Sequence, residues 1–221
     1  MTALDEPRFH LTVSPDSLNA TVCRIRADGI ADVFHDVRAL APRARIVWIT
    51  DGGFEAELRA LGCRDQDPPL TSYITALATT SPPPDVAGVE VRRVRSYDEF
   101  LVAMQVANAG WQTNVSGDPE GRWARHRDRP GGDWVALLDG RPVAYAGAIA
   151  GPHGLFLTGG VTLPDARGRG AYRALVRARW DEAVRCGTPA LVVHAEEASR
   201  RVLERIGFER VGNIVELVSG A

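Results

Sequence analysis

The sequence predicts an α/β chain with a central, mostly antiparallel sheet flanked by helices, one full unit following a partial one. Three observations predict it. From Val89 onward, short apolar runs alternate with stretches of helical periodicity. Asp139-Gly140 and Pro152-His153-Gly154 join neighbouring apolar runs directly, as hairpins do and parallel crossovers do not. The chain also has 221 residues, more than the about 150 that one ordinary domain uses. The prolines Pro82, Pro83 and Pro84 interrupt it inside Thr79–Gly88. Consecutive prolines continue neither a helix nor a central strand, so the expected division is 1–85 and 86–221.

Each element of the second part has its own signal. Val89–Val94 reads as a strand. Ser96 followed by Glu99 is a capping box that opens a helix through Phe100, Met104 and Ala107. A polar, Trp-containing stretch follows, with a short helix expected at Pro119–Arg127. Asp133–Leu138, Arg141–Ala150 and Leu155–Leu163 read as three strands. Gly168–Cys186 is a long helix with Tyr172, Val176, Trp180 and Ala183 on its buried face, closed by Gly187. Pro189–Ala195 is a strand and Glu197–Ile206 a helix ended by Gly207. Phe208–Val211 and Ile214–Val218 are expected as two strands joined at Gly212-Asn213.

The first part carries a partial repeat of the second. Sliding Ala190–Phe208 back along the chain without a gap lays Ile46–Ile49 on Leu191–His194. It also lays Leu58 on Leu203, Leu61 on Ile206, Gly62 on Gly207 and Cys63 on Phe208. An apolar strand follows at Ser72–Ala76. Chance alone produces strand–helix–Gly pairs, and the alternative is the back half of the same fold. No counterpart of the glycine-rich segment stands in the first copy.

Composition excludes whole classes. Hydrophobic residues make up 45% and charged residues 24%, which is ordinary for a globular protein. The formal net charge of −2 points to no nucleic-acid surface. The sequence contains no lysine, so Schiff-base chemistry and a phosphate-loop lysine are both excluded. No apolar run reaches membrane-spanning length, and Met1–His10 is not a signal peptide. Cys23, Cys63 and Cys186 lie far apart and form no disulfide framework or close metal pair. The expected setting is cytoplasmic.

The informative stretch is Val161–Leu175, where a strand ends, Arg167-Gly168-Arg169-Gly170 turns, and a helix opens. Amides at a helix start are unpaired and sit at the positive end of its dipole, an arrangement that binds phosphate. A mononucleotide loop fails here for want of Gly-Lys-Ser/Thr, and the dinucleotide fingerprint fails because position 173 is Arg. Arg167-x-x-Gly170-x-Tyr172, with Pro164 ahead of it, resembles the pyrophosphate loop of the GNAT acetyltransferase superfamily, whose motif is Gln/Arg-x-x-Gly-x-Gly/Ala. Tyr172 departs from that pattern. Glu196–Phe208, ending Arg-Ile-Gly-Phe, resembles the family's second signature, and residues 89–218 follow its order of elements.

The resemblance implies the GNAT fold and transfer of an acetyl group from acetyl-CoA to a primary amine of a small molecule or a peptide N-terminus by direct attack. It implies cofactor contacts from Val161, Thr162 and Leu163 along the strand edge. Arg167, Gly168, Arg169, Gly170, Ala171 and Tyr172 would serve at the turn, and Ser199 on the last helix. The tyrosine the family often uses as acid falls on Leu203, and its frequent Asn on Glu196. His194 is then the candidate catalytic base, with Glu196 and Ser199 nearby and a water chain as the alternative. Trp111 and Trp123, with His126, lie where the family shapes its acceptor pocket, though core packing would place them as well. A CoA-binding or structural module without catalysis is the competing reading. Neither a metal nor a nucleic-acid or membrane partner is implied, and the chain would be a monomer or homodimer.

Overall fold

The computed structural model describes residues 2–14, 16–51, 53–65, 74–113 and 117–220. The chain begins with strands β1 (Thr2–Asp5), β2 (His10–Val13) and β3 (Asn19–Cys23), followed by helix α1 (Ile30–Leu40). Next come β4 (Arg45–Thr50), α2 (Glu55–Ala60), β5 (Ile74–Thr79) and β6 (Glu90–Arg93). Helices α3 (Tyr97–Trp111) and α4 (Pro119–Arg127) precede β7 (Gly131–Leu138), β8 (Arg141–Gly151) and β9 (Gly154–Thr162). Helix α5 (Ala171–Arg185), β10 (Leu191–Ala195), α6 (Glu197–Glu204) and β11 (Glu209–Ser219) complete it. No helix among the described residues is long and apolar enough to cross a membrane.

The chain folds as two compact units, Met1–Ala76 with Gly212–Ala221, and Leu77–Val211. In the first, β1, β2 and β3 form an antiparallel meander. Helix α1 then carries the chain over to β4, which runs parallel to β3. Strand β11 pairs antiparallel with β4, from Val215 opposite Thr50 to Ser219 opposite Ile46. Alternation buries Ile46 and Trp48 on one face of β4, against Ile30, Val33 and Val37 of α1. The Trp48 indole N–H, buried with them, donates to Ser219 Oγ at 2.9 Å.

In the second unit, β6 to β9 form an antiparallel meander, and β10 adds to β9 in parallel after the α5 crossover. Asp139 and Gly140 both take positive φ, 52° and 77°, at the β7–β8 hairpin. Leu155, Leu157, Leu191 and Val193 pack with Leu175, Val176 and Trp180 of α5 on one face. Phe100, Ala103 and Ala107 of α3 pack with Val135, Leu137 and Tyr145 on the other. Ser96 caps α3 as expected, its Oγ accepting from the Glu99 amide while Glu99 accepts from the Ser96 amide.

The two aligned segments fold alike locally. In both copies a strand joins its predecessor in parallel across a helical crossover, and a short helix follows. The helix ends close alike. The amides of Gly62 and Cys63 donate to the carbonyls of Arg59 and Leu58, and those of Gly207 and Phe208 donate to Glu204 and Leu203. Both glycines are left-handed, at φ +90° and +99°.

One expectation is corrected. The two strands predicted at the C-terminus are one, because Gly212-Asn213 does not turn. Gly212 has no positive φ, so nothing reverses the chain there. Of the expected strand Ser72–Ala76, Ser72 and Tyr73 lie outside the described residues.

Candidate active site

The parallel pairing of β9 with β10 runs from Leu155–Leu191 to Leu157–Val193 and ends there, while β9 continues to Thr162. At the same level β9 is bulged against β8. Gly147 faces Thr158 and Tyr145 faces Val161, so Gly159 and Gly160 together oppose Ala146. Both bulge residues must be small. A Cβ on Gly160 would lie 2.7 Å from Tyr172 Cε2. One on Gly159, at φ +56°, would crowd the rings of Trp111 and Tyr145 at 3.3 and 3.5 Å. An unpaired strand edge beside a bulge offers free backbone groups to an extended ligand.

Beyond the bulge the three strand-edge candidates are not equivalent. The Leu163 amide donates to the Val143 carbonyl at 2.9 Å. Alternate residues of an antiparallel strand face the same neighbour, so Val161 shares that side and Thr162 turns its backbone away from β8. Thr162 Oγ1 is buried without a hydrogen-bond partner among the described residues.

After a single 3-10 turn at Pro164–Ala166, Gly168 and Gly170 adopt φ +77° and +89° and swing the chain into α5. Helix α5 starts with no side-chain cap and no acidic residue in its first turn. The amides of Gly168 to Tyr172 donate to no acceptor among the described residues. A Cβ at Gly168 would meet nothing, whereas one at Gly170 would lie 2.7 Å from Val86 Cγ1. Val86 belongs to the proline connector, which Arg177 pins through the Pro83 carbonyl at 3.1 Å and Asp85 at 2.9 Å. Arg167, Arg169 and Arg173 are exposed. Arg169 reaches Asp139 at 3.2 Å, a surface pair that contributes little. Uncapped amides, open space and an absence of carboxylate in the first turn fit a pyrophosphate.

Helix α5 also braces the bulge. Arg179, 1% exposed, donates through Nε to the Leu175 carbonyl and through Nη1 to the Gly147 carbonyl at 3.2 Å. Burial draws its pKa down. The Tyr172 phenol lies beside the same guanidinium, and burial pushes it up against that charge.

The face of the sheet toward α3 and α4 holds a polar network that sequence reasoning missed. Asp133 is buried. Its Oδ1 accepts from the Tyr145 hydroxyl at 2.7 Å and from Arg129 Nη2 at 3.0 Å, and Oδ2 lies 2.9 Å from His126 Nδ1. Burial alone would raise the Asp133 pKa, but the His126 and Tyr145 bonds and the Arg129 charge outweigh it and hold the carboxyl below its ordinary value. Tyr145 is pushed far upward by burial and by the carboxylate beside it. Gly147 makes room for the network, since a Cβ there would lie 2.8 Å from both Asp133 Oδ1 and Thr158 Oγ1.

His194 stands on the exposed end of β10, one position past the last pair with β9. Its ring meets Phe156 edge-on at 4.9 Å, and burial of the ring lowers its pKa. Trp111 is 46% exposed and stands edge-on to Tyr145 at 6.1 Å, near the bulge. Trp123 packs on Phe100 at 5.6 Å and lines a separate cavity with His126. The Ser199 hydroxyl is occupied by the Glu196 carbonyl at 3.0 Å. Leu203 is fully buried in the core.

Residues 98–208 match the family model described as the acetyltransferase (GNAT) family. Among solved structures, a GCN5-related N-acetyltransferase from Kribbella flavida superposes with a TM-score of 0.71 at 17% identity, covering 100% of this chain and 90% of that one. Another from Sphaerobacter thermophilus gives 0.68 at 16%, covering 96% and 76%. A tandem GNAT protein from the clavulanic acid biosynthesis pathway gives 0.66 at 16%, covering 96% and 78%. At these identities the likeness speaks for the fold. No curated protein matches the chain.

Proposed function

Because the chain belongs to the acetyltransferase (GNAT) family, we propose that it transfers an acetyl group from acetyl-CoA to a primary amine by direct attack. The observation that carries the reading is the opening of β9 from β10 at a Gly159-Gly160 bulge that leads into an uncapped, glycine-bearing helix start. The amides of Gly168 to Tyr172 would hold the pyrophosphate, with the helix dipole favouring its charge. Thr162, its backbone turned from β8, would pair with the pantetheine amides. When bound, acetyl-CoA supplies an activated thioester.

The residues of this chain perform the rest. A bulge amide would polarise the thioester carbonyl and stabilise the oxygen as charge develops on it. His194, neutral at physiological pH because its pKa is lowered, accepts the ammonium proton of the incoming amine. The amine nitrogen would form the new C–N bond as the C–S bond breaks, and the departing thiolate would take up the proton that the new amide nitrogen sheds. Trp111 would border the acceptor beside the bulge. Read as a partial repeat, the N-terminal region would lack a glycine–arginine turn, and the chain would then hold one such site. A thiol-release assay over a panel of primary amines tests the reading. Amine-dependent release supports it, while acetyl-CoA binding without release on any amine would favour a non-catalytic module.

A further inference from the structure

A second site lies at the other end of the sheet. The register places the start of β7 beside the end of β8 and the beginning of β9, with Gly131 opposite Ile149 and Ile149 opposite Phe156. The glycine–arginine turn follows the opposite end of β9. Between the start of β7, the end of β6 and α4 is a cavity of about 300 Å³.

Its lining is strongly one-signed. Arg93, Arg95, Arg127 and Arg129 surround it against the single carboxylate of Asp133, and Trp123 supplies an aromatic wall. Asp133 is already engaged by Tyr145, His126 and Arg129, so its charge is answered on the spot. Arg93 is fixed by Glu182 at 2.8 Å and Arg127 by Asp128 at 3.1 Å. One group remains. Arg129 is held by the Gly132 carbonyl and Asp133, whereas the Arg95 guanidinium, which also lines the space, makes no hydrogen bond or ion pair among the described residues. An oxyanion is the partner that the forks of a concave, guanidinium-lined space fit best.

We propose that this cavity binds the carboxylate or phosphate of a small organic molecule, with the apolar part of that molecule against Trp123. The site is independent of acetyl transfer. It is joined to the bulge through Asp133 and Tyr145, whose ring borders Gly159.

Calorimetric titration of the full chain with benzoate and with inorganic phosphate, without acetyl-CoA, tests it. Saturable one-site binding of either is expected, and which one binds identifies the acid group. The double substitution Arg95→Ser, Arg127→Ser is expected to weaken that binding at least tenfold while the unfolding midpoint and acetyl-CoA affinity stay as they were. Binding of neither probe at millimolar concentration overturns the proposal, as does binding that the double substitution leaves unchanged.

Discussion

Arg179 on α5 donates through Nη1 to the Gly147 carbonyl on β8, 3.2 Å away, and no carboxylate among the described residues pairs with its charge. A buried cation without a counter-charge gives the fold little net stability, because desolvation opposes its hydrogen bonds. Its service is positional: it holds β8 opposite the Gly159-Gly160 bulge. Arg179→Met is therefore expected to unfold within a few degrees of the parent while kcat falls about tenfold, equivalent to about 1.4 kcal/mol of barrier. Thermal melts and steady-state kinetics check this, and an unchanged kcat would remove the role.

Gly168→Asp separates anion binding from folding. A Cβ there meets no atom, although φ is +77°, so the cost in stability is about 1 kcal/mol. The added carboxylate would face amides meant for pyrophosphate. Calorimetry is expected to show acetyl-CoA affinity reduced at least tenfold. Substitution of Gly170 would also displace Val86 and is the less clean probe.

Gly147→Ala drives a methyl group to 2.8 Å from Asp133 Oδ1 and Thr158 Oγ1. Overpacking of this kind costs about 1–3 kcal/mol. A lowered melting temperature together with reduced turnover is expected, and a melt like that of the parent would mean that the network yields without strain.

Asp133 stabilises the fold as a carboxylate, since its folded pKa lies below the unfolded one. That contribution is complete above the unfolded value and is lost as pH falls through the folded one. Asp133→Asn should cost about 1–3 kcal/mol at neutral pH. The difference from the parent should narrow below about pH 4, as followed by melts across pH.

His194 has a linkage of the same sign, in a higher pH window. Its folded pKa is lowered by burial, so the unfolded chain takes up the proton first as pH falls below about 6.5, and stability declines there. In turnover the neutral base persists to lower pH than a free histidine would allow. The acid limb of the kcat/KM profile should therefore lie below the ordinary histidine value and disappear in His194→Gln. A limb that survives the substitution belongs to another group.

Local chemistry made much of this legible in the sequence. The Ser96–Glu99 box, the Asp139-Gly140 hairpin, the closing glycines Gly62, Gly187 and Gly207, and the Arg167–Gly170 turn each act within a few residues. What escaped depends on register. Asp133, Gly147 and Thr158 meet only because three strands align them, and no spacing within one strand reveals that. The Gly159-Gly160 pair inside a strand was the available signal for the bulge. The final strand read as two because Gly212-Asn213 carries turn chemistry, whereas the chain passes through it extended and its far end pairs with β4.

The most direct measurement is a calorimetric titration of the intact chain with acetyl-CoA. Saturable binding at one site, lost in Gly168→Asp, is the predicted result. No heat of binding at millimolar acetyl-CoA, from a chain whose melt shows it folded, would contradict the account.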